Sequence, residues 1–94
     1  MPDRTHHATI GTSASSVTIG DGGDLKPAAV YEVVSVDGAG AVSWRIDGET
    51  AVASTDPCDT IPAVAGAASS QRKGKGPISL IATANTAVVI RAID

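Results

Sequence analysis

Short runs of alternating or β-branched residues predict strands along most of the chain. Residues 42–46 (VSWRI) alternate between apolar and polar side chains, which places one face of a strand inward and the other outward. Residues 30–36 and 78–82 are rich in β-branched or other large aliphatic side chains that pack well on a pleated sheet. Residues 87–93 include four successive apolar positions, which predicts a strand in the centre of a sheet.

Glycine-containing turns separate these runs. Asp37-Gly38 lies between two β-rich runs and predicts a hairpin that joins them, while Asp47-Gly48 predicts a second reversal. Further short strands are expected at residues 8–12, 16–19 and 50–53 and near residues 63–65. Because no window of 12 or more residues carries a helical stripe, the sequence predicts an all-β protein. We expect a small antiparallel β-sandwich or barrel of about seven to eight short strands.

Length and composition limit the hydrophobic core. The 94 residues suffice for one domain, expected at residues 8–94, with residues 1–7 as a flexible N-terminal arm. Ala (16), Val (10) and Ile (8) supply most of the apolar side chains, whereas Leu occurs twice and Phe is absent. The single Cys58 cannot form an intramolecular disulfide. We therefore expect neighbouring subunits to add to the stability of a thin core.

The charge and the polar motifs exclude several classes of function. A net charge of −3 provides no field for nucleic acid or an anionic membrane, and no apolar run is long enough for a membrane span or a signal peptide. The only histidines, His6 and His7, lie in the expected arm, where neither can serve as a positioned base. No catalytic site is expected, and no metal or cofactor is expected either, since Asp residues beside Gly or Pro are typical of turns.

Two features of the sequence each allow two interpretations. Residues 72–76 (RKGKG) form the only dense basic cluster and are either a solvated loop or a contact for an acidic protein; the spacing does not fit a Walker motif. Trp44 is either a core anchor or a platform for a ligand. The residues expected to contact a protein partner are Arg4, His6, His7, Arg72, Lys73 and Lys75.

The order of strands and turns over residues 30–94 resembles that of small β-sandwich virion proteins of tailed bacteriophages. The resemblance rests on the Asp-Gly turn after residues 44–46, a Thr/Ala-rich run at 50–55, the segment IPAVAG at 61–66, and the two closing strands. The Ala, Gly, Val, Asp and Arg bias is similar to that of a phage with an actinobacterial host. This resemblance implies a capsid decoration (cement) protein, made in the host cytoplasm and bound as a trimer to the major capsid protein on the virion surface. Otherwise it implies a tail or head fibre component that binds a host surface glycan or protein.

Overall fold

Within the part of the chain that the structure describes, eight strands form two four-stranded antiparallel sheets. The computed structural model describes residues 4–20, 22–52 and 58–93. In chain order the strands are β1 (Thr5–Ile10), β2 (Ser15–Val17), β3 (Val30–Ser35), β4 (Val42–Arg45), β5 (Asp59–Ile61), β6 (Ala68–Arg72), β7 (Ile78–Ala82) and β8 (Thr86–Ile93). The all-β sandwich predicted from the sequence is confirmed.

The order of strands in the sheets is that of an eight-stranded jelly roll. The first sheet has the order β1-β8-β3-β6 and the second has the order β2-β7-β4-β5. Only the β4–β5 connection joins two strands of the same sheet; every other connection between the described strands crosses from one sheet to the other. The strand β8 lies between β1 and β3, which confirms the central position predicted from its apolar sequence.

The predicted Asp37-Gly38 hairpin is wrong, because β3 and β4 lie in different sheets. Gly38 has a φ of +63°, and a Cβ atom added there would lie 2.3 Å from the backbone nitrogen of Ala65. Its own N–H donates a hydrogen bond of 3.1 Å to the Ser35 hydroxyl. The turn is therefore sharp, as the sequence predicted, but it takes the chain across the sandwich.

Several predicted boundaries also differ. Strand β1 begins at Thr5, so residues 5–7 of the expected arm belong to the edge of the first sheet, where Thr5 pairs with Arg91. Residues 50–52 and 63–65 form no strand, and residue 53 lies outside the described residues. Strands form instead at β5 and at β6, for which the sequence pattern predicted no strand.

The core lies between the inner faces of the two sheets. Its largest fully buried side chains are Ile10, Leu25, Tyr31, Val33, Val42, Trp44, Ile61, Ile78, Leu80, Val88 and Ile90. Tyr31 and Trp44 are both 0% exposed, so the two aromatic rings of the chain fill the space that small aliphatic side chains leave. The Tyr31 hydroxyl accepts a hydrogen bond from the Ala28 N–H and donates one to the Lys26 carbonyl.

Strand β6 is polar because its inward side chains bind Trp44. The Trp44 indole Nε1–H donates to the Ser69 hydroxyl at 2.6 Å, and the Gln71 side-chain amide donates to the Trp44 carbonyl at 3.1 Å. These bonds run from β4 in one sheet to β6 in the other. A polar edge strand thus satisfies the buried indole and ties the two sheets together.

Candidate functional site

The basic loop, residues 72–77, has a conformation fixed by close backbone contacts. A Cβ atom at Gly74 would lie 1.9 Å from the Ile46 carbonyl oxygen, and one at Gly76 would lie 2.5 Å from the Gly48 Cα. Only glycine permits such an approach, so the loop packs directly on the connection that follows β4. The Lys73 N–H also donates a hydrogen bond of 2.8 Å to the Ala29 carbonyl. The loop backbone is thus held in place while the Arg72, Lys73 and Lys75 side chains are exposed, as both the solvated-loop and the protein-contact interpretation require.

Two lysines of the basic loop border a cavity of about 370 Å³ at one end of the sandwich. Its apolar lining comes from Ile19, Pro27 and Pro77. Lys73 and Lys75 are exposed, and neither forms an ion pair or a side-chain hydrogen bond with any residue that the structure describes. Two ammonium groups and an apolar wall are the elements that bind an acidic side chain or a small organic anion.

A neighbouring carboxylate is already paired. On the turn against which Gly76 packs, the Arg45 guanidinium donates hydrogen bonds to both carboxylate oxygens of Asp47, with 2.7 Å from Nε to Oδ1. The Arg45 hydrogen bonds lower the pKa of Asp47 to about 2. Asp47 Oδ1 also accepts a hydrogen bond of 3.2 Å from the Glu49 N–H. Asp47 therefore stabilises the turn against which the basic loop packs.

The six residues expected to contact a partner fall into two groups. Arg72, Lys73 and Lys75 lie together at the end of β6 and in the basic loop. The others, Arg4, His6 and His7, lie in or next to β1 at the opposite edge of the same sheet. His6 is half-buried, whereas Arg4 and His7 are exposed and line a shallow depression with Arg91, for which the sequence pattern predicted no contact.

The centre of the outer face of the first sheet, on strands β3 and β8, is mostly apolar. On its central strands β3 and β8, inward side chains are buried, and the outward ones alternate with them. Most of these outward residues are aliphatic, and they are half-buried or exposed: Val30, Val34, Ala87, Val89 and Ile93. The sequence already contained the signal, because β8 is apolar at positions that point to both faces.

The outer face of the second sheet is polar and partly covered. Ser79 alternates with the inward Ile78 and Leu80, yet it is only 5% exposed because the chain after β4 crosses it. The Ser79 hydroxyl accepts a hydrogen bond of 2.8 Å from the N–H of Ala51, which is itself buried. The two outer faces of the sandwich thus differ in the polarity of their side chains and in how far other parts of the chain cover them.

Aromatic recognition is not available on the surface. Trp44 and Tyr31 are the only aromatic residues, and both are fully buried, which confirms the core role of Trp44. Within residues 4–20, 22–52 and 58–93, no three His, Cys, Asp or Glu side chains come together as metal ligands. The described chain also has no helix that is long and apolar enough to cross a membrane.

Comparisons of the chain with models of protein families, with curated proteins and with solved structures found no match.

Proposed function

We propose that the chain is a non-enzymatic structural protein of a tailed-bacteriophage virion, which decorates the capsid surface and bridges subunits of the major capsid protein. The observation that carries the proposal is the basic loop. Three of the seven Lys and Arg residues of a chain with net charge −3 lie within residues 72–75. Two of them, Lys73 and Lys75, border the cavity and have no carboxylate partner among the described residues.

An acidic protein surface is the partner that fits this loop. Complementary charges steer association and fix its orientation, and a rigid loop loses little conformational entropy when it binds. The backbone contacts of Gly74 and Gly76 supply that rigidity. The apolar cavity wall would exclude water around an inserted carboxylate, which strengthens its attraction to the ammonium groups.

Association would also stabilise the sandwich itself. A partner that binds only the folded chain raises its apparent stability by mass action, and a domain of only 94 residues has a small stability margin of its own. Jelly rolls occur in viral capsid proteins, lectins and cupins, so the fold is compatible with the proposal without specifying it.

The alternative is a tail or head fibre domain that binds a host surface glycan or protein. The cavity of about 370 Å³ favours it, because this volume is typical of small-ligand sites. Recognition would then depend on Lys73 and Lys75, through an anionic group, since both aromatic rings are buried.

Binding to empty capsid shells tests the proposal. The purified chain should bind shells of its phage and raise their resistance to heat and osmotic shock. The K73Q/K75Q variant should bind about tenfold more weakly, which corresponds to about 1.4 kcal/mol. The matched K73R/K75R variant keeps both charges and should bind like the wild type. Circular dichroism would verify that each variant is folded.

Two results would count against a decoration role. Shells that are equally resistant with and without the bound chain would contradict stabilisation of the capsid. Absence of shell binding, together with lysine-dependent binding to a host surface fraction, would favour the fibre domain instead.

A further inference from the structure

The outer face of the first sheet carries one pair of opposite charges at its centre. In the register of the sheet, Glu32 on β3 lies beside Arg91 on β8. The two neighbouring outward-facing rows flank this pair. One places Val34 beside Val89, and the other places Val30 beside Ile93. The centre of the face, on β3 and β8, is thus aliphatic apart from one cation and one anion, whereas the edge strands β1 and β6 carry mostly polar outward side chains that include His7 and Arg72.

We infer that this face binds a second copy of the chain, related by a two-fold axis that runs parallel to the strands between β3 and β8. Such an axis places β8 of one copy over β3 of the other. Arg91 then lies opposite Glu32 of the second copy, and Val89 lies opposite its Val34. An axis across the strands would instead place β8 over β8 and β3 over β3, so that Arg91 would not lie opposite Glu32.

The charged pair is available for this exchange. Within one chain, the Arg91 guanidinium and the Glu32 carboxylate are 3.9 Å apart, a long ion-pair distance, and the Arg91 side chain is 58% exposed. In the pair of copies, each guanidinium would lie between two carboxylates and each carboxylate between two guanidiniums. A closed, self-complementary interface of this kind is typical of two-fold dimers.

The face is large enough for a weak dimer. All eight described strands belong to the two sheets, so no third layer of strands covers it. Four strands about 4.8 Å apart and about six residues long at roughly 3.3 Å per residue span about 400 Å². Two such faces would bury about 800 Å² in total, which is below the size of stable specific interfaces and in the range of weak encounters. We therefore expect a weak, reversible dimer.

The inferred symmetry differs from the trimer that the phage resemblance implies, and it does not rest on the decoration role. The central rows of Glu32 and Arg91 and of Val34 and Val89 lie near the crossing point of the two sheets. The twist of packed sheets, about 30°, therefore displaces these rows least. Lys73 and Lys75 border the cavity at one end of the sandwich and lie outside the strands that form the face, so the face and these two lysines can be tested separately.

Charge reversal on the full chain tests the inference by sedimentation equilibrium. The wild type should dimerise, and E32R and R91E should each weaken the dimer at least tenfold because like charges then face each other. The double variant E32R/R91E restores opposite charges and should dimerise within about threefold of the wild type. K75E, a reversal away from the face, should leave dimerisation unchanged, and thermal melts would verify folding.

Three results would overturn the inference: a monomer at millimolar concentration, a dimer that both single reversals leave intact, or a trimer that they do not affect. Shell binding by the same variants is a separate measurement, because it depends on Lys73 and Lys75. A dimer that fails to bind shells would contradict the decoration role alone, and a monomer that binds shells would contradict the dimer alone.

Discussion

The Trp44 indole reaches across the sandwich to an edge strand of the opposite sheet. Its ring is the largest in a core without Phe and with only two Leu residues. Burial removes the indole N–H from water, and the Ser69 hydroxyl at 2.6 Å replaces the lost hydrogen bond. One serine on a polar strand therefore determines whether the main anchor of the core is satisfied.

Ser69→Ala should destabilise the fold by about 1–3 kcal/mol, because it leaves a buried donor without an acceptor. Urea denaturation would measure the difference in the free energy of unfolding. Ser70→Ala is the matched control, since Ser70 is exposed on the other face of β6 and should change stability by less than about 0.5 kcal/mol. Equal effects of the two substitutions would contradict this role of Ser69.

The Arg45–Asp47 pair should make stability depend on pH in acid. The pKa of Asp47 is lowered from 3.8 to about 2 in the folded state, so the unfolded state binds more protons between these values. The contribution of the pair is complete above about pH 4 and is lost as the pH falls through about 2. Asp47→Asn should therefore flatten the fall in the free energy of unfolding over this range.

Urea denaturation at several pH values between 2 and about 5 would measure this slope. Arg45→Gln removes the donor and should flatten the slope in the same way as Asp47→Asn. A variant without the Asp47 carboxylate that kept the full wild-type slope would show that other groups cause the acid dependence. The effect should be modest, because the Asp47 side chain is 44% exposed.

Among the connecting elements, the turn at Gly38 should tolerate a side chain poorly, because a positive φ and a close backbone approach coincide there. Gly38→Ala combines an unfavourable φ of +63° with a clash against the Ala65 backbone, whereas Gly48→Ala has a φ of +87° and nothing within 4 Å of the added Cβ. The control should cost about 1 kcal/mol from backbone strain alone. Gly38→Ala should cost at least about 2 kcal/mol more, measured as the free energy of unfolding. Similar losses in the two variants would contradict the close approach.

The sequence predicts those strands whose identity depends on local pattern. Strand β7 forms at the predicted residues 78–82, and β3, β4 and β8 differ from prediction by one residue at an end. Strand β6 could not be predicted, because its polar side chains become suitable for a strand only when Trp44 lies opposite them. The Asp37-Gly38 signal predicts a sharp turn, but it contains no information about which sheet receives the next strand.

Across the whole molecule, strand pairing is decided by contacts between distant parts of the chain. Strand β8 pairs with β1 and β3, and β7 pairs with β2 and β4, so neighbours in the sheets are mostly not neighbours in sequence. The same limit applies to the candidate site. The sequence predicted the cluster of Arg72, Lys73 and Lys75, but the cavity beside it requires residues 18–20 and 27 to approach the loop.

The antiparallel pairing of β1 with β8 determines how the sandwich would respond to mechanical load. Thr5, at the start of β1, pairs with Arg91, near the end of β8. The first residue of β1 and the last residues of β8 therefore lie at the same end of the two paired strands. Tension applied between residues 5 and 93 would peel the two strands apart one hydrogen bond at a time, instead of shearing the whole ladder together. The force needed to separate β1 from β8 in this direction is therefore low. To resist a pulling force, the domain would need attachment points other than the two ends of this strand pair.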